Sequence, residues 1–92
     1  METEKKLKLE ESDEFSYLNP HPLKITNEEY MAVYFRTYRY EYFLEKGTPS
    51  EKKLARTFFL QLIAYWEMRV ASTSDCQERW VKRMKEREGV LG

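Results

Sequence analysis

The sequence predicts an all-α fold, an antiparallel helical hairpin followed by a shorter third helix, and three observations support this prediction. Three segments share the pattern of a hydroxyl residue, two further residues, then Glu or Gln, and they are 26–29, 48–51 and 74–77. This is the capping-box pattern of helix starts. Each segment opens a run of helix formers with apolar residues at helical spacing. Gly47 and Pro49 mark a sharp junction between the first two runs.

The amino-terminal part of the chain differs in charge from the rest. Residues 1–29 carry four Lys and eight Asp or Glu, a net of −4, whereas residues 30–92 have a net of +4. Two prolines near position 20 favour extended backbone. We therefore expect a flexible acidic arm with a Pro-rich linker over residues 1–22, and a single helical domain over residues 23–92.

The first helix is expected from Asn27 to Lys46, capped by Thr26. Gly47 is placed to close it in the left-handed conformation. The second helix is expected from Pro49 to about residue 71, and so short a connection predicts that the two helices are antiparallel neighbours. The third helix is expected from about residue 75 to residue 88, although the Ser/Thr run before it leaves open whether the second and third helices are continuous.

The helices carry more apolar surface than three helices of these lengths can cover. The first helix has two apolar faces, one with Met31, Tyr34, Phe35, Tyr38 and Tyr42, and a second with Tyr30, Val33, Tyr40 and Leu44. The second helix has a broad apolar face and a narrower opposite row, Leu60, Ala64, Met68 and Ala71. A helix that is apolar on more than one side is buried on more than one side. We therefore expect self-association, most simply a homodimer in which two hairpins pair into a four-helix-like bundle.

Catalytic, metal-binding and cofactor-binding patterns are not found in the sequence. His21 is the single histidine, Cys76 is the single cysteine, and the three glycines form no phosphate-binding loop. A histidine pair or a cysteine-based metal cage is therefore excluded. We expect no enzymatic activity, no catalytic residues, no metal and no cofactor.

The segments of the chain are too polar for membrane insertion. The longest apolar stretch, residues 58–66, is far shorter than the roughly 20 residues of a bilayer span. The amino terminus lacks the apolar region of a secretory signal, and a lone cysteine fits a reducing compartment. We expect a soluble, cytoplasmic protein without a membrane partner.

The composition favours a small non-catalytic adaptor or regulator, including an inhibitor of a larger protein or complex, that binds another protein through aromatic helical surfaces. Interface hot spots favour Trp, Tyr and Arg, and the candidate partner-binding residues are Tyr38, Arg39, Tyr40, Tyr42, Trp66 and Trp80. The sequence leaves open whether each tryptophan serves the core or an interface.

The alternative is a small nucleic-acid-binding transcriptional regulator that uses the third helix. That helix follows a turn and is rich in basic residues, as recognition helices are. The candidate nucleic-acid contacts are Arg79, Lys82, Arg83 and Arg87.

Overall fold

The computed structural model describes Leu9, residues 24–73 and residues 77–91, and within these ranges the chain is entirely helical apart from its connections. Helix α1 spans Asn27–Lys46, α2 spans Pro49–Thr73 and α3 spans Glu78–Leu91. The predicted all-α, three-helix fold is confirmed. Apart from Leu9, the acidic arm lies outside the described residues, as do His21, Cys76 and the predicted capping residue Ser74.

Capping boxes set the starts of α1 and α2, as the sequence predicts. At α1 the Glu29 backbone N–H donates to Thr26 Oγ1 (3.2 Å), and the Thr26 N–H donates to Glu29 Oε1 (3.3 Å). At α2 the Glu51 N–H donates to Thr48 Oγ1 (3.2 Å), and the Thr48 N–H donates to Glu51 Oε1 (2.9 Å). Each box satisfies two backbone donors that the first helical turn leaves unpaired.

Gly47 joins α1 to α2 in a different way from the one predicted. Its φ of −76° and ψ of 168° are extended values, so the expected left-handed closure is wrong. Thr48 is already the N-cap of α2, and the chain has no room for the additional residues of a left-handed closing motif. Glycine is needed for space instead, because a Cβ on Gly47 would lie 2.5 Å from the Phe43 carbonyl oxygen and 3.0 Å from Glu51 Cβ.

The contacts between α1 and α2 show that these two helices are antiparallel. Glu29, near the start of α1, bonds to Tyr65 and Arg69 late in α2. Tyr40, further along α1, packs against Phe58 early in α2, with 5.8 Å between ring centroids. Helix α3 then packs against both helices, and Val81 and Met84 are its buried residues.

The core lies between the three helices and contains mostly aromatic and branched side chains. Its largest fully buried members are Val33, Thr37, Tyr40, Phe43, Phe59, Leu62, Tyr65, Trp66 and Met84. Leu9 joins the same cluster at 3% exposure, and its backbone N–H donates to Glu51 Oε2 (2.9 Å). The second predicted face of α1 is therefore the core face, and the first is left outside except for the half-buried Tyr34.

Candidate protein-docking surface

Four large apolar side chains form a row on the outward side of α1, which we call the α1 seam. It consists of Met31, Phe35, Tyr38 and Tyr42, exposed by 71, 67, 56 and 45% respectively. Their spacing of four, three and four residues keeps them on one side of a helix with 3.6 residues per turn. The side of α1 that holds Val33 and Tyr40 packs on the core, so the seam points to solvent.

Helix α3 supports one edge of the seam through aromatic contacts. The half-buried Trp80 ring meets Tyr34 edge-on at 4.6 Å between centroids and meets Tyr38 edge-on at 5.9 Å. Edge-to-face pairs of this kind contribute about 0.5–1.5 kcal/mol beyond their buried area. The Tyr34 hydroxyl also donates to Gln77 Oε1 (3.0 Å), just before α3. Tyr38 therefore has a defined position although its ring is exposed.

Arg83 links the same edge to a buried acid. Its guanidinium lies 4.7 Å from the Trp80 ring centroid and 5.4 Å from that of Tyr38. It also donates to both Glu41 carboxylate oxygens, at 2.7 and 3.2 Å. The Glu41 side chain is only 8% exposed, and Arg87 Nε approaches it at 3.8 Å. Bidentate pairing combined with stacking suits arginine and fixes the angle of α3 against α1.

The six residues predicted to bind a partner separate into a surface group and a core group. Tyr38 and Tyr42 belong to the seam, Trp80 lines its edge, and the half-buried Arg39 lies with its guanidinium 5.2 Å from the Phe43 ring centroid. Tyr40 and Trp66 have 0% exposure, so a partner that docks on this chain would not reach them. Helical periodicity explains the difference, because Tyr40 on α1 and Trp66 on α2 each belong to the row of their helix that faces the core.

Met31 and Phe35 are the two seam residues that sequence reasoning did not select as contacts. They are the two most exposed members of the seam. Their shared face with Tyr38 and Tyr42 was visible in the helical periodicity. Periodicity does not show which of the two apolar faces of α1 packs on the core and which remains exposed.

A buried ionic cluster fixes the start of α1 against α2. Arg69 Nε donates to Glu29 Oε2 (2.8 Å), and Arg69 Nη2 donates to Glu29 Oε1 (3.0 Å) and to the Lys24 carbonyl (3.0 Å). The Tyr65 hydroxyl donates to Glu29 Oε2 (2.6 Å). The Arg69 and Glu29 side chains are only 3 and 4% exposed. Sequence reasoning missed this cluster, although a charge at position 69 on the apolar face of α2 was a signal for it.

The cluster shifts the pKa of each of its members. Burial raises the pKa of Glu29, but hydrogen bonds from Arg69, Tyr65 and the Thr26 N–H outweigh burial, so the pKa is lowered from its ordinary value. Burial and the hydrogen bond to Glu29 raise the pKa of Tyr65. The hydrogen bond to Glu29 raises the pKa of Arg69 against the effect of burial. The cluster is therefore a buried ionic lock, by which we mean that Glu29 of α1 is paired with Arg69 of α2 and both of its carboxylate oxygens accept hydrogen bonds.

The basic residues of α3 are divided between ion pairs and solvent. Arg83 and Arg87 face Glu41, and Lys85 pairs with Glu67 of α2. Arg79 and Lys82 are exposed, and the described residues show no ion pair for either. The candidate nucleic-acid residues thus do not form one continuous, uncompensated cationic surface.

The described part of the chain offers a shallow groove to a small molecule and no cluster of side chains to a metal ion. A shallow groove of about 370 Å³ between α2 and α3 is lined by Glu67, Val70, Ala71, Glu78, Val81, Lys82 and Lys85. Within the described ranges, His, Cys, Asp and Glu side chains do not gather in groups of three that could hold a metal ion. None of α1, α2 and α3 combines the length and the hydrophobicity of a transmembrane helix.

Comparison of the chain with protein-family models, with curated proteins and with solved structures finds no match in any of the three. The functional proposal therefore rests on this chain's own surfaces, and the α1 seam holds four of the seven large hydrophobic side chains that are exposed in the described part of the chain.

Proposed function

We propose that the protein is a small non-catalytic adaptor or regulator that docks on another protein through the α1 seam and its α3 edge. The contacting residues are Met31, Phe35, Tyr38 and Tyr42 of the seam, with Arg39 and Trp80 beside it. Tyr, Trp and Arg supply large rigid contacts at the centres of protein interfaces.

The single observation that carries the proposal is the contiguous exposure of the seam. At roughly 200 Å² for each side chain, exposed fractions of 45–71% correspond to about 480 Å² of exposed surface, which is apolar apart from the two tyrosine hydroxyls. Patches of roughly 300–600 Å² are the largest that monomers show and are often functional. Here the patch is one row of four side chains on one helix, which is the geometry of a helix-docking face.

The electrostatics favour protein docking over nucleic-acid binding. Arg83 and Arg87 face the buried Glu41, and Lys85 pairs with Glu67. Phosphate contacts would have to compete with these carboxylates. The non-catalytic part of the proposal is supported by the buried cluster at Glu29, since its carboxylate oxygens are hydrogen-bonded and only 4% exposed.

The test compares two matched double variants. Phe35→Ser/Tyr42→Ser removes apolar surface from the seam, whereas Leu60→Ser/Met68→Ser removes it from the outer face of α2, where those residues are 45 and 53% exposed. All four residues are exposed, so both variants should fold, and circular dichroism checks this. Immobilised wild type and variants are incubated with extract of the native host, and captured proteins are quantified by mass spectrometry.

We expect a captured protein that the wild type and the α2 variant retain and the seam variant loses by at least tenfold, a change of about 1.4 kcal/mol. The same captured proteins in equal amounts on all three baits would refute a docking role for the seam. A heparin-binding series at two salt concentrations separates the nucleic-acid alternative, because phosphate-driven binding falls steeply with salt.

A further inference from the structure

We propose that the protein seated on the α1 seam is a second copy of this chain, with the two α1 helices packed antiparallel about a two-fold axis between Phe35 and Tyr38. This inference rests on one part of the proposed function, the use of the α1 seam as a docking surface, and it names a second copy of the chain as the occupant of that surface. It assigns a register and an orientation that the exposure of the seam alone does not give.

The spacing of the seam is palindromic, so two seams stay in register when they pack antiparallel. Met31, Phe35, Tyr38 and Tyr42 are separated by four, three and four residues, so the row reads the same from either end. A two-fold axis at its centre places Met31 opposite Tyr42 of the second copy, and Phe35 opposite Tyr38 of the second copy. Self-complementary contacts of this kind define a two-fold interface. Alternating gaps of three and four are also the spacing at which two helices interlock side chains over a long contact.

The charges beside the seam agree with the antiparallel orientation. Glu28 and Lys46 are eighteen positions apart, five turns at 3.6 residues per turn, so they lie on the same flank. Both are exposed, and the described residues show no ion pair for either. The two-fold axis brings Glu28 of each copy to Lys46 of the other.

The opposite flank is compatible with the same register. Glu45 lies on that flank and faces Asn27 of the second copy, at the first turn of its α1. A carboxylate is favoured there by the positive end of the helix dipole. On both flanks of the antiparallel contact a carboxylate therefore faces positive charge, that of Lys46 on one flank and that of the α1 dipole on the other.

The area available suits a weak but specific dimer. Each seam contributes about 480 Å², so two seams bury close to 1,000 Å², the lower end of specific interfaces. The Trp80 edge of each copy lies beside the contact and extends it. We expect half-association at a chain concentration of roughly tens of micromolar, a weak affinity for an interface of this size.

The experiment is sedimentation equilibrium of the full chain from about 1 to about 500 μM. The wild type should pass from the 11.2 kDa monomer to a dimer over this range. Phe35→Ser/Tyr42→Ser should weaken the dimer at least tenfold, and Leu60→Ser/Met68→Ser should leave it unchanged. A wild type that stays monomeric throughout, or a seam variant that dimerises as well as the wild type, would overturn the inference.

Charge exchange tests the orientation separately. Glu28→Lys and Lys46→Glu should each weaken the homodimer severalfold, while a one-to-one mixture of the two variants should recover wild-type association. Thermal melts of each variant at low concentration show whether the substitution affects the helix itself. Absence of recovery in the mixture contradicts the antiparallel register.

The outcomes distinguish this inference from the proposed function. A monomeric wild type whose seam still captures a different protein would overturn the inference and support the proposed function. A seam-dependent dimer with no seam-dependent capture would support self-pairing and refute docking on another protein.

Discussion

Replacement of Arg69 by methionine gives the sharpest test of how this small fold is held together. Arg69→Met removes two charge-assisted hydrogen bonds to Glu29, of 2.8 and 3.0 Å, and a third to the Lys24 carbonyl. The methionine retains much of the apolar stem. The substitution therefore tests the ionic lock with little change in packing volume.

The expected loss follows from the carboxylate that is left behind. Glu29 would remain 4% exposed without its cation, and breaking a buried pair by removing one partner costs about 3–5 kcal/mol. Protonation of Glu29 sets an upper limit on the free-energy cost of leaving its charge buried. Neutralising a carboxyl of ordinary pKa 4.5 at pH 7 costs about 3.4 kcal/mol at 1.36 kcal/mol per unit. We expect a loss of about 3–4 kcal/mol at pH 7, most of the roughly 3–5 kcal/mol that a core of this size supplies.

Urea unfolding followed by circular dichroism measures the loss, with an excluded osmolyte added to hold the variant in its folded state. The penalty should shrink as the pH falls toward 5, because protonation of Glu29 becomes easier. The double variant Glu29→Gln/Arg69→Met removes both charges and keeps a capping-box side chain, so it should be more stable than Arg69→Met alone. A loss under about 1 kcal/mol for Arg69→Met, or a double variant that equals the sum of its singles, would refute the reasoning.

Three further predictions concern the caps and the acid response. Glu29 has a lowered pKa in the folded state, so its stabilisation is complete above the unfolded value near 4.5 and is lost as the pH falls through the folded value. The wild-type urea midpoint should drop in that acid range, and Glu29→Gln should flatten this part of the profile. Gly47→Ala should cost about 1–3 kcal/mol, because the new Cβ meets the Phe43 carbonyl oxygen at 2.5 Å; an unchanged urea midpoint would contradict this. Thr48→Ala should cost about 1 kcal/mol through loss of its cap, whereas Thr57→Ala, at an exposed position inside α2, should cost less, and equal losses would argue against the cap.

Local rules predicted the helix starts because those rules concern neighbouring residues. Thr26 and Thr48 form their boxes with residues three positions away, so each helix start is decided within one turn. The prediction of a left-handed closure at Gly47 was wrong because it considered only the helix that ends there and not the helix that begins at the next residues. A glycine after a helix predicts that closure only when the chain has room to continue beyond it, and here the next cap follows at once.

The buried ionic cluster could not be predicted in the same way. Glu29 and Arg69 are forty positions apart and lie on different helices. Their pairing depends on the register between α1 and α2, which the packing of the core decides. The periodicity placed position 69 on the apolar face of α2, but no rule of spacing names its partner. The exposure of the seam could not be predicted for the same reason, since either apolar face of α1 could have packed on the core.

Two ionic contacts, one at Glu29 and one at Glu41, together explain how so small a chain keeps the α1 seam exposed to solvent. The lock at Glu29 fixes the start of α1 against α2, and the Arg83–Glu41 pair fixes α3 against the later part of α1. With α1 held at both points, the seam residues cannot turn toward the core unless the buried Glu29–Arg69 pair and the partly exposed Glu41–Arg83 pair break. A surface fixed in this way loses little conformational entropy when a second helix packs on it. Docking on the seam should therefore proceed with little backbone rearrangement, so that changes in its affinity come mainly from the exposed side chains themselves.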